Sequence, residues 1–149
     1  MKLEEEIKQK KFKSEFQKLA VNIIFTHGWL VNKHSEILKR HNISIQQYNI
    51  LRILRGQYPN VVCLNLIKER MLEKTPDISR LVERLKLKGL LKRTLCGNDR
   101  RKVDVVISKK GLNLLEKMES IDEENNKIFS KLSEEEAKSM NNLLDKARG

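Results

Sequence analysis

The chain has 149 residues, a length typical of one globular domain that buries a hydrophobic core without metal or disulfide support. Its formal net charge of +11 favours a polyanionic partner such as a nucleic acid. Two cysteines are too few for a disulfide scaffold. Because neither a signal-peptide core nor an apolar run of transmembrane length occurs, we expect a cytoplasmic protein without a membrane partner.

The charge is distributed unevenly along the chain. Residues 75–110 carry 11 Lys/Arg and 4 Asp/Glu, whereas residues 111–149 carry 6 and 9. The basic density therefore peaks in the middle of the sequence. We expect the acidic C-terminal part to point away from the polyanionic partner.

Helical periodicity dominates the first half of the sequence. Apolar residues recur every three or four positions over residues 2–40, which predicts one long amphipathic helix. Ser44 and Gln47 form a capping box, and a second helix is predicted over about 45–55. A short third helix is expected over roughly 62–71.

A fourth helix has clear signals at both ends. Thr75 is a natural N-cap, Pro76 suits the first helical position, and Asp77 suits the positive end of the helix dipole. Gly89 supplies the left-handed residue that commonly ends a helix.

The remaining sequence predicts a β-hairpin followed by two helices. Residues 91–95 can pair with residues 102–107 across a turn at Gly97-Asn98. The pattern becomes helical again over 108–132, and a capping box opening at Ser133 begins the last helix. No internal repeat or flexible linker interrupts this order.

Two short helices followed by a basic hairpin predict a winged helix-turn-helix. A helix fits the major groove of DNA with its N-terminal residues at the base edges, and a hairpin beside it can carry cations to the backbone or the minor groove. The alternative is a solvated face on which Arg84 pairs with Glu83 or Asp77. The candidate DNA contacts are Thr75, Pro76, Asp77, Ser79, Arg80 and Arg84 on the recognition helix, and Asp99, Arg100, Arg101 and Lys102 on the wing.

The segments ISRLVERLKLKGLLKR and NDRRKVDVVISKKG resemble the MarR family of bacterial transcription regulators. The matching elements are a recognition helix ending at Gly89-Leu90, an Asp-x-Arg element in the wing, and a Ser-x-x-Gly start of the dimerisation helix at 108–111. The resemblance implies that Arg101 enters the minor groove and that Asp99 orients the wing cations. One departure is that LEKTPD lacks the glycine common in helix-turn-helix turns.

The resemblance also implies a homodimer of one domain spanning 1–149. Its dimerisation helices would be about 1–40 and 109–149, and its winged-helix lobe about 41–108. The outer helices carry more apolar surface than one small domain covers, and a two-fold interface would bury the surplus. The alternative for each interface residue is ordinary core within one chain. The candidates are Leu3, Ile7, Leu132, Met140, Leu143 and Leu144.

By the same resemblance, a small anionic or aromatic effector would bind between the first two helices and the dimerisation helix. The alternative for each candidate lining residue is a core or surface position without a ligand. No cofactor is expected, and the cysteines and histidines show no metal-ligand spacing. The candidate lining residues are His27, Trp29, Tyr48 and Arg52.

The sequence therefore predicts a mainly α-helical winged helix-turn-helix protein with a small β-hairpin wing. Its predicted function is that of a dimeric, sequence-specific regulator, a ligand-responsive repressor that binds double-stranded DNA at a pseudo-palindromic operator. The alternative is a basic protein that binds nucleic acid without sequence preference. An enzyme is disfavoured because the sequence lacks a Gly-rich phosphate loop, a metal-binding helix motif and a recognisable nucleophile–base pair.

Overall fold

The computed structural model describes residues 2–73, 77–95 and 103–149. It confirms a mainly α-helical fold with one small antiparallel sheet. Among the described residues, none of the helices combines the length and apolarity needed to cross a membrane. The helices are α1 (Leu3–Glu6), α2 (Glu15–Lys39), α3 (Ile45–Gln57), α4 (Leu64–Arg70), α5 (Ile78–Leu87), α6 (Lys109–Lys117), α7 (Ser120–Ile128) and α8 (Glu134–Arg148), and the strands are β1 (Val62–Cys63), β2 (Leu91–Leu95) and β3 (Val103–Ile107).

The prediction of one continuous helix over 2–40 is wrong, because α1 and α2 are separate. The Ser14 side chain accepts a hydrogen bond from the Gln17 N–H at 3.2 Å and so begins α2 there. The Glu4 carboxylate of α1 pairs with the Lys18 ammonium of α2. The hydrogen bond between these groups lowers the pKa of Glu4 and raises that of Lys18.

The third predicted helix begins later than expected because its first two residues form β1. Val62 pairs with Val105 and Cys63 with Asp104, so the predicted hairpin gains a third strand in the order β1-β3-β2. The Val62 side chain is buried. A strand at this position therefore pairs the backbone hydrogen-bonding groups with β3 and also buries the β-branched Val62 side chain.

The predicted pairing of the two wing strands is confirmed. Leu91 lies opposite Ile107, and the ladder continues to Leu95 opposite Val103. Helical structure follows, but as α6 and α7 rather than one helix. The interruption falls at Met118, whose side chain is only 1% exposed and is thus fixed in the core.

Three of the predicted signals for helix ends are confirmed. The capping box of Ser44 and Gln47 begins α3, and that of Ser133 and Glu136 begins α8. The helix α5 ends at Gly89, which has φ +71°. The Gly89 N–H donates to Lys86 O at 2.8 Å and the Leu90 N–H to Leu85 O at 3.0 Å, which is the Schellman arrangement.

The hydrophobic core lies within the lobe formed by α3, α4, α5, the sheet and α6. Helix α3 crosses its centre, because Ile50, Leu51 and Leu54 are essentially inaccessible to solvent. Leu85 of α5 and Leu115 of α6 pack against the same core. Helix α5 and the sheet are therefore held as one packed unit.

Candidate DNA-binding surface

The helix α5 presents one buried and one exposed face. Ile78, Val82 and Leu85, spaced at four and three residues, are buried in the core. The start of α5 differs from the prediction, since Asp77 rather than Thr75 is its N-cap. The Asp77 carboxylate accepts a hydrogen bond from the Arg80 N–H at 3.2 Å. Thr75 and Pro76 lie outside the described residues, so their predicted DNA contacts remain predictions.

The exposed face of α5 carries the predicted recognition residues that the structure describes. Ser79, Arg80 and Arg84 are all exposed, and the two arginines lie one helical turn apart. Within the described parts of the chain, neither guanidinium is paired with a carboxylate. The solvated-face alternative expected Arg84 to pair with Glu83 or Asp77, and the structure gives both carboxylates other partners.

Glu83 connects the recognition helix to the wing. Its carboxylate lies 3.4 Å from the Lys86 ammonium of the same helix and 3.6 Å from the Arg93 guanidinium of β2. Sequence analysis missed this contact because Arg93 is ten residues away along the chain. These two contacts offset the negative charge of Glu83 and leave Arg80 and Arg84 outside its ion pairs.

The base of the wing is described, but its tip is not. The strands β2 and β3 lead from the core to the ends of the ladder at Leu95 and Val103. The predicted wing contacts Asp99, Arg100, Arg101 and Lys102 all lie outside the described residues. Their roles remain predictions.

A cavity of about 270 Å³ lies between α2 and α3 and is bounded by Leu72. The structure places two of the four predicted effector residues at it, since Tyr48 and Arg52 both line it. Arg52 Nη1 donates to Tyr48 Oη at 2.9 Å. Of the described residues, the lining includes His34 rather than the predicted His27 and Trp29. The Trp29 ring instead packs edge-on against that of Phe129 at 6.3 Å.

Apolar side chains form a second exposed feature on the outer helices. We define this outer apolar surface by its large exposed residues on α2, in the turn that follows α7 and on α8. In α8, every residue of which is described, no side chain is buried. Of the six predicted interface residues, Leu3 is already buried by its own chain, and Ile7 and Leu144 are half-buried. The outer apolar surface comprises Phe16, Leu19, Ile23, Ile24, Phe25, Trp29, Phe129, Leu132, Met140 and Leu143.

Solved structures share this fold over nearly the whole chain. A MarR transcription factor from Planctomyces limnophilus is 30% identical with a TM-score of 0.72, and the match covers 91% of this chain and 98% of that one. The MepR–DNA complex of S. aureus is 25% identical with a TM-score of 0.74, covering 92% and 97%. BpsR of Bordetella bronchiseptica, whose DNA binding is regulated by 6-hydroxynicotinic acid, is 22% identical with a TM-score of 0.79, covering 89% and 99%. No protein-family model and no curated protein matches this sequence.

Proposed function

Because this chain belongs to the MarR family of transcription regulators, we propose that it binds a pseudo-palindromic operator as a cytoplasmic homodimer and acts as a ligand-responsive repressor. The chain is a DNA-binding transcription regulator and not an enzyme. The observation that carries the finer proposal is the exposed pair Arg80 and Arg84 on α5, since both guanidinium groups are free of ion pairs within the described chain.

The chemistry of α5 suits base and phosphate contact. Arginine can donate two parallel hydrogen bonds to guanine in the major groove, and serine can donate to phosphate oxygens. Ser79 and Arg80 lie in the first turn of α5, and Arg84 follows one turn later. The first turn of a recognition helix is the part that reaches base edges in helix-turn-helix proteins. We therefore assign base contact to Arg80 and phosphate or base contact to Arg84.

The outer apolar surface supports the homodimer. Phe16 of α2 is 84% exposed, Ile24 of α2 72% and Leu143 of α8 63%, so these two helices offer large side chains with little cover from their own chain. Large apolar side chains that are this exposed on one chain are typical of interfaces. A two-fold axis through this region would bury it isologously and would hold two α5 helices about 34 Å apart, which matches successive major grooves.

The cavity between α2 and α3 supports the ligand response. Tyr48 offers an aromatic face, and the Arg52 guanidinium lies 5.7 Å from the centre of that ring. Together with His34 these groups suit a small anionic or aromatic molecule. Because the cavity lies between an outer helix and the DNA-binding lobe, an occupant would change DNA occupancy only if it bound one arrangement of the lobes more tightly.

Arg80→Ala is expected to weaken binding to a duplex selected by the wild-type protein from a random pool by about 30-fold or more, since each bidentate contact contributes about 1–3 kcal/mol. The reason is the loss of a bidentate base contact in each lobe. Binding to random duplex should fall much less, and fluorescence anisotropy with both duplexes measures the difference. Arg148→Ala, which removes one exposed arginine from the last turn of α8, is the matched control. Equal affinity of Arg80→Ala and wild type for the selected duplex would contradict the assignment of α5.

Arg101→Ala is expected to weaken binding to the same duplex while the homodimer persists. Each phosphate contact contributes about −0.9 to the slope of log K against log salt, so losing one in each lobe should make the slope shallower by about 1.8. Titrations at several salt concentrations test this, with sedimentation to verify the dimer. An unchanged affinity and slope would show that Arg101 does not contact the duplex. If the wild-type protein itself binds random duplex equally well, the non-specific alternative replaces the proposal.

A further inference from the structure

We propose that Asn49 is a positioning residue for DNA recognition, because its side chain holds the turn that joins the two helices of the helix-turn-helix. The proposal rests on the proposed function, since it concerns how the same recognition helix is placed. Asn49 lies on α3, outside the set of predicted DNA contacts. It would therefore act through α5 rather than by touching DNA.

Two side chains of α3 reach the turn. The Asn49 Oδ1 atom accepts a hydrogen bond from the backbone N–H of Leu72 at 3.0 Å. One residue further along the turn, Glu73 Oε2 accepts a hydrogen bond from Gln46 Nε2 at 3.0 Å. Gln46 and Asn49 are three residues apart on a helix and so project from one face. Adjacent turn residues are thus attached to the central helix of the core.

Such attachment matters at Leu72, because side-chain packing does not hold this described residue of the turn. Met71 is 3% exposed and Ile78 is 7% exposed, so both are anchored in the core. Between them, the Leu72 side chain is 84% exposed and is not held by packing. The described part of this turn contains no glycine that would favour a single tight geometry. The Asn49 hydrogen bond therefore holds the backbone at Leu72, a residue whose own side chain does not anchor it.

The position of the turn sets the start of the recognition helix. Asp77, which caps α5, follows Leu72 by five residues, and Arg80 lies in the first turn beyond that cap. Apparent affinity falls in proportion to the fraction of molecules whose site is correctly arranged. If loss of the Asn49 acceptor leaves about one lobe in ten correctly arranged, each lobe loses about tenfold and a two-lobe complex about 100-fold in affinity for selected DNA.

The test compares Asn49→Leu, which removes the acceptor at similar volume, with Asn49→Asp, which keeps an oxygen for the Leu72 N–H. Gln57→Met on the same helix is the control, since among the described residues the Gln57 side-chain amide hydrogen-bonds only to its neighbour Gly56 O. For each full-length variant, the ratio of affinities for selected and random duplex is measured by anisotropy. Amide hydrogen exchange at Leu72 is measured by NMR as a readout independent of DNA.

We expect Asn49→Leu to lower the affinity ratio at least tenfold and to speed exchange of the Leu72 N–H, while Asn49→Asp and Gln57→Met stay within about threefold of wild type. An Asn49→Leu ratio within twofold of wild type would overturn the proposal, and so would an equal loss in Asn49→Asp. A wild-type ratio near one would instead contradict the proposed function. The hydrogen-exchange measurement then still tests Asn49 by itself. If the Leu72 N–H exchanges at the wild-type rate in Asn49→Leu, Asn49 does not hold the turn; if it exchanges faster, Asn49 does.

Discussion

Gly111→Ala is expected to lower the free energy of unfolding by about 3 kcal/mol or more, the upper range for overpacking a tight site. A β-carbon at this position would lie 2.2 Å from the Leu90 carbonyl oxygen and 2.7 Å from Ile107 Cγ1. The carbonyl cannot easily withdraw, because it accepts the Ser108 N–H at 3.1 Å and follows the Schellman turn at Gly89. The start of α6 would therefore have to separate from the wing and from the end of the recognition helix.

Urea denaturation followed by circular dichroism measures this loss, and Gly56→Ala provides the control. Gly56 also lies in a helix, but a β-carbon there meets nothing within 4 Å. Alanine has the higher helix propensity, so Gly56→Ala should be neutral or stabilising by up to about 1 kcal/mol. Equal denaturation midpoints for the two variants would show that the close approach at Gly111 is not maintained in solution.

Leu143→Glu is expected to convert the proposed dimer to monomers and to reduce affinity for selected DNA at least about 100-fold, because two linked lobes gain that much or more from binding together. In one chain Leu143 is 63% exposed, so glutamate there costs little intrachain packing. In a two-fold interface the substitution places two carboxylates in apolar surroundings, which costs several kcal/mol. The variant should thus remain folded while association is lost.

Sedimentation velocity over a range of concentrations measures the association, and thermal unfolding verifies the fold. Leu87→Glu is the matched control, since Leu87 is 79% exposed but lies at the end of α5, outside the outer apolar surface. It should leave the dimer intact. A wild-type protein that stays monomeric at high concentration, or a Leu143→Glu variant that still dimerises, would contradict the proposed interface.

Helix boundaries with a local cause were predictable from adjacent residues. The capping boxes at Ser44 and Ser133 and the left-handed Gly89 work through hydrogen bonds between groups within a few positions of one another. The same reasoning misplaced the start of α5, because Thr75 and Asp77 are both good caps in sequence and the helix begins after Asp77. It also missed Ser14 as a cap within residues 2–40.

By itself, the sequence determined the class of the protein. The amphipathic patterns, the basic middle segment and two motif-bearing segments predicted a winged helix-turn-helix regulator, which solved relatives confirm. The charge and turn chemistry that define this class are properties of residues close together in the chain. These features could therefore be recognised from short stretches of sequence, without knowledge of the three-dimensional structure.

Only the tertiary structure decided how these parts are held together. The strand at Val62–Cys63, the Glu83–Arg93 ion pair, the Asn49–Leu72 hydrogen bond and the crowding around Gly111 each join groups that are distant along the chain. Their partners are chosen by how helices and strands pack, and no pattern of spacing within one segment encodes that choice.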